Sequence, residues 1–71
     1  MNRYFLEYES DRKLCGTHSH TYGFASSQKT ARGYIARCRK QCAAENPRNF
    51  RVFDSWGEVK DGHVPCVYEE D

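Results

Sequence analysis

The sequence predicts an α+β domain of order ββαββ, in which one amphipathic helix packs across an antiparallel sheet of three or four strands. Three observations lead there. Four short aromatic or β-branched stretches are bounded by Gly, Pro, Ser and Asp punctuation. Between Ser26 and Pro47 the apolar residues recur at helical spacing instead. The whole chain is 71 residues, 38% hydrophobic and 14% aromatic, enough for one small core in residues 1–71 and no second domain. No apolar run approaches the roughly 18 residues of a membrane-spanning helix. The aromatic content argues against disorder.

The first strand is read over residues 3–9, ending at Ser10-Asp11-Arg12-Lys13. Alternation places Tyr4, Leu6 and Tyr8 on one face and Arg3, Phe5, Glu7 and Glu9 on the other. A second strand over residues 17–24 puts His18, His20, Tyr22 and Phe24 on a shared side, with Gly16 and Gly23 weakening it. The helix begins at a Ser26 or Ser27 cap and is stopped by Asn46-Pro47. Tyr34, Cys38, Ala31, Cys42 and Ile35 form its apolar stripe, while Lys29, Arg32, Arg37, Arg39 and Lys40 lie outside it. Asn49 to Asp54 is a third strand, Phe50 and Val52 on one face, Arg51 and Phe53 on the other. A loop containing Trp56 and an Asp61-Gly62 turn signal follows. Residues 63–69 form the last strand, with Val64, Cys66 and Tyr68 inward. Pro65 marks it as an edge strand, because proline donates no ladder hydrogen bond.

The formal charge of +1 is unevenly spread. Residues 26–51 hold seven basic side chains against Glu45 alone, and residues 52–71 hold six acidic ones against Lys60. That pattern predicts either a basic interaction face on the helix or internal pairing between helix and tail.

The amino-terminal residues contain no apolar h-region, so no signal peptide is read there and the expected location is the cytoplasm. Cys15, Cys38, Cys42 and Cys66 are then expected as reduced thiols. Cys15-x-x-His18 and His63-x-x-Cys66 together supply the ligand types of a tetrahedral zinc site. Residues three apart on a strand point to opposite faces, however. No metal and no cofactor is therefore expected. A thiol–imidazole pair, such as Cys15 with His18 or His20, could activate a thiolate as a nucleophile. It has no flanking signature, so the chain is not expected to be an enzyme.

Binding is the remaining class. Candidate contact residues are Lys29, Arg32, Arg37, Arg39 and Lys40 on the helix, and Trp56 in the loop, since tryptophan is enriched at interface hot spots. One helix covers one face of a sheet. The other face repeats a basic–aromatic pairing, Arg3 with Phe5 and Arg51 with Phe53, which can stack and neutralise nucleic acid or be buried across a two-fold axis in a homodimer.

The stretch from Phe24 to Ile35, a strand entering a capped amphipathic helix, is followed by paired strands rich in aromatics and an acidic end. This layout resembles small proteins encoded by phages and mobile elements, including anti-CRISPR and other anti-defence inhibitors. The resemblance covers residues 20–71 and is one of layout, without a diagnostic motif. It implies a compact non-enzymatic binder of a host protein or nucleoprotein complex.

Overall fold

A computed structural model of the chain describes residues 2–12 and 16–70. Its elements are β1 (Tyr4–Arg12), β2 (Gly16–Ala25), α1 (Gln28–Gln41), a 3-10 turn (Ala43–Glu45), β3 (Arg48–Asp54) and β4 (Cys66–Glu70). The strands form one antiparallel sheet in the order β2-β1-β3-β4, and α1 lies across one of its faces. The expected ββαββ order holds, with β4 at an edge. Among the described residues no helix is long and apolar enough to cross a membrane.

Helix α1 starts where Ser27, in extended conformation, accepts a hydrogen bond from the Thr30 N–H through its side chain, satisfying one of the first-turn donors. It ends at Gln41, earlier than the Asn46-Pro47 stop signal. Cys42 caps the helix through its N–H to the Cys38 carbonyl, and the chain passes through the 3-10 turn to Asn46 in left-handed conformation, φ 52°. Asparagine tolerates that conformation better than most residues, so Asn46, not proline, sets the change of direction.

The core lies between α1 and the sheet. Leu6, Phe50, Val52, Ala31 and Cys38 are fully buried, with Tyr8, Ala25 and Ile35 nearly so. Each fully buried large side chain contributes on the order of 1.5–3 kcal/mol. Tyr34 ties helix to strand by donating its hydroxyl to the Phe24 carbonyl at 3.0 Å. Tyr22 reaches Gln41 at the other end of α1 at 2.6 Å.

Three irregularities phase the sheet. On β2 the pairing with β1 jumps from Leu6–Gly23 to Glu7–Thr21, leaving Tyr22 as an extra residue. On β3 it jumps from Glu7–Arg51 to Glu9–Arg48, at Asn49 with φ 53°. On β4 it jumps from Val52–Tyr68 to Phe53–Cys66, with Val67 extra. The first corrects the single-sided reading of β2: Gly23 faces the helix, where an added Cβ would lie 3.5 Å from the Tyr34 ring, and Phe24 turns to the opposite face. The third corrects β4: Cys66 points outward and is exposed, while Val67 and Tyr68 pack against the core. Strands β1 and β2 also run further than read. Ser10 to Arg12 continue β1, held by Arg48 Nη2 and Thr17 Oγ1, each donating to Asp11 Oδ1 at 2.9 Å.

The connection from β3 to β4 is folded back on itself. Lys60 and His63 exchange two backbone hydrogen bonds of 2.9 Å around Asp61 and Gly62, both at positive φ (54° and 78°). This is the tight reversal that the Asp-Gly signal predicts.

Candidate functional site

The face of the sheet away from α1 carries a row of three phenylalanines. Phe5 on β1 is in register with Phe24 on one side and Phe53 on the other. The ring centroids are 5.7 Å and 5.3 Å apart, tilted and stacked respectively, within the range of favourable aromatic pairs. Phe24 is 53% exposed and Phe5 and Phe53 are half-buried. Cys66 extends the row onto β4 opposite Phe53. The sequence placed Phe5 and Phe53 here but missed Phe24 and Cys66, which the bulges at Tyr22 and Val67 rotate into the row. Gly23 was the available signal, since a glycine inside a strand often marks a bulge.

Beyond the phenylalanines the face becomes polar. Glu7 stands between Thr21 and Arg51, and Arg51 also faces Glu69. Glu9 accepts from Asn49 Nδ2 at 2.6 Å. Asp11 holds Arg48, which keeps the Asp11 carboxyl below its ordinary range, chiefly through that hydrogen bond. The surface therefore has an aromatic end and a charged end, and at the latter carboxylates outnumber guanidiniums among the described side chains.

At the rim of the aromatic end, Arg3 does not extend freely from the sheet. Its Nε and Nη2 donate to the two carboxylate oxygens of Asp54 at 2.8 and 2.7 Å, and its guanidinium lies 5.1 Å from the Tyr4 ring centre and 5.6 Å from that of Trp56. Trp56 is 57% exposed, and its N–H donates to Asp54 at 3.0 Å, which fixes the turn that presents the indole. Gly57 follows because Pro65 packs directly over it: an added Cβ would fall 2.3 Å from the proline ring.

The basic residues of α1 divide into two groups. Arg32 stacks on Tyr68 at 4.1 Å, and Arg39 pairs with Glu70 at 2.8 Å and lies 5.0 Å over Phe50. These two realise the pairing of helix and tail. The Tyr68 hydroxyl first, and Arg39 next, hold the Glu70 carboxyl below its usual range. Lys29, Arg37 and Lys40 remain on the exposed side, with Arg37 5.9 Å from the Tyr34 ring. Lys29, Arg32, Gly33, Tyr68 and Glu70 line an open cleft of about 600 Å³ between α1 and β4. The basic helix residues and the phenylalanine row thus lie on opposite sides of the molecule.

The residues weighed for zinc are dispersed. His18 lies on β2, His63 in the tight reversal and Cys66 on the open face; Cys15 lies outside the described residues. No group of three or more metal-ligating side chains forms among the described residues. Cys38 and Cys42 sit together under α1 as free thiols, and the Tyr8 hydroxyl lies 3.6 Å from the Cys42 sulfur. Burial, reinforced by Cys42, pushes the Cys38 thiol up to about 12 and the Tyr8 hydroxyl upward. Both are neutral core groups, unlike an activated nucleophile, whose pKa is lowered.

Comparison with known proteins gives no matching family model, no matching curated protein and no matching solved structure.

Proposed function

We propose that the chain is a non-catalytic protein-binding module whose contact surface is the open sheet face. The row Phe5–Phe24–Phe53 is the observation that carries this reading. Three adjoining aromatic rings that each leave part of their surface in water are better covered by a partner, and aromatic residues are enriched in the cores of protein interfaces. Trp56, packed on Arg3, supplies an anchor at the rim. The charged end, with both signs interleaved, suits the polar rim of a protein contact and sets its orientation. An inhibitor of a host protein or nucleoprotein complex works through such a surface without chemistry, in keeping with the layout resemblance.

Two other surfaces are weighed against it. Nucleic-acid binding on the same face needs a surplus of free cations, whereas Arg3 is engaged by Asp54 and carboxylates surround Arg51. Binding of an acidic protein by Lys29, Arg37 and Lys40, beside the cleft at Arg32, is the stronger second reading, supported by the exposure of those three side chains.

Affinity purification from host lysate, with and without nuclease, separates these. A partner retained after nuclease by the wild type and lost by Phe24→Ser with Phe53→Ser supports the open face. Retention by that double variant, with loss on reversing charge at Lys29, Arg37 and Lys40, moves the contact to the helix. Loss of all capture after nuclease overturns the protein-binding reading.

A further inference from the structure

The sheet has two edges, and they differ in chemistry. β4 is five residues long, follows Pro65 and carries Glu69 and Glu70. Short length, proline and charge are the features that protect an edge from pairing with another chain. β2 is the longest strand, ten residues from Gly16 to Ala25, with no charged side chain and no proline. Its pairing with β1 is regular from Gly16–Arg12 to Thr21–Glu7. The bulge at Tyr22 interrupts only the far end. Alternate residues of this six-residue stretch therefore present their backbone donors and acceptors on the outer side, with no lysine, arginine or carboxylate among the six.

We propose that β2 is a self-association edge, at which two copies of this chain pair β2 antiparallel to β2 about a two-fold axis normal to the sheet. The side-chain pattern favours a second copy over an unrelated strand. Such an axis maps the open face onto itself, so residues facing each other across the seam must share a face. Centred on Ser19, the arrangement sets Ser19 against the partner's Ser19 and Thr17 against the partner's Thr21 on the open face. His18 meets the partner's His20 on the other face. Every contact is then between hydroxyls or imidazoles of like size, the kind of Thr–Thr and Thr–Ser pair that stabilises cross-strand neighbours. Self-pairing of β4 would instead crowd four glutamates, Glu69 and Glu70 of each copy, into a seam of five residues. The assembly is a continuous sheet of twice the present width, with both helices on one side and both phenylalanine rows on the other. The proposal does not depend on the partner-binding reading.

Sedimentation equilibrium over the micromolar range, on the full chain under reducing conditions, tests it. The expected result is a mass rising with concentration from 8.3 kDa toward twice that value. Ser19→Lys stands beside Glu9 within its own chain and against a second lysine at the seam, so it should keep its circular dichroism while the dimer dissociation constant rises at least tenfold. Thr21→Lys, beside Glu7, is a second edge charge and should also weaken the dimer. Phe24→Ser should leave it unchanged. A wild-type mass that stays at the monomer value overturns the proposal. So does a dimer insensitive to both lysine substitutions, or one abolished by Phe24→Ser, which would place the two-fold on the open face.

Discussion

Arg3 and Asp54 join the first strand to the end of the third through two parallel hydrogen bonds of 2.8 and 2.7 Å, although they lie 51 residues apart in the sequence. The Asp54 carboxyl is nearly buried, its side chain 9% exposed, and also accepts from the Trp56 N–H. A single carboxylate therefore fixes the strand end, the aromatic turn and the direction of a guanidinium.

That arrangement has a signed pH dependence. The Arg3 hydrogen bond, foremost among the causes, holds the Asp54 carboxyl below its ordinary range. Unfolding restores the ordinary value of about 3.9. The stabilisation is thus complete above about pH 4 and is lost as pH falls through the lower folded value. Asp54→Asn should be less stable than wild type at neutral pH and lose less stability on acidification. Urea midpoints at pH 7 and about pH 3 check both statements. Asp11 and Glu70, also held low, keep some acid sensitivity in the variant.

Gly57→Ala should destabilise the β3–β4 connection. The added methyl would meet the Pro65 ring at 2.3 Å, a contact that requires the turn to shift. A loss of about 1–3 kcal/mol is expected, typical of overpacking, read from the denaturant midpoint. The indole fluorescence of Trp56, in the same turn, should move with it.

Thiol reactivity should follow exposure. Cys66 is exposed on the open face, whereas Cys38 is fully buried with its thiol raised to about 12. Iodoacetamide at neutral pH should label Cys66 well before Cys38, since the thiolate is the reactive form. Peptide mass mapping over a time course reads the order, and denaturant should abolish the difference.

Ser27→Ala should remove the bond to the Thr30 N–H and cost about 1 kcal/mol. Leu6→Ala, at a fully buried position beneath α1, should cost about 2–5 kcal/mol. Thermal or urea denaturation of the two variants, compared side by side, checks the ordering.

The fold was legible because its strongest signals are periodic. The stripe Ala31, Ile35 and Cys38 and the alternation Leu6/Tyr8 and Phe50/Val52 each survive from sequence to core. The site was legible only in part. Strict alternation placed Phe5 and Phe53 on the open face, but alternation fails wherever a strand holds one residue more than its neighbour. That happens at Tyr22 and Val67, so alternation groups Phe24 with His18, His20 and Tyr22 and turns Cys66 inward, whereas both lie on the open face. Arg3 was read as an exposed cation because Asp54 is distant in sequence, and pairing at that range leaves no local trace. The helix stops at Gln41, ahead of the Asn46-Pro47 signal, because Cys42 leaves helical geometry and the chain tightens into a 3-10 turn, a local change that spacing does not encode.

The extra residue at Tyr22 acts as a phase change along β2. Remove Tyr22 alone, and plain alternation would carry Thr21, Gly23 and Phe24 onto Glu7, Leu6 and Phe5, the partners they already have. Phe24 would stay in the outer row, and the loss would be the Tyr22 ring, which packs against the core and reaches Gln41. A one-residue deletion at this point would thus spare the surface that invites a partner and weaken only the seam between β2 and α1. Related chains should accordingly be aligned by the side each aromatic occupies, with a gap permitted within β2, and not by letter identity alone.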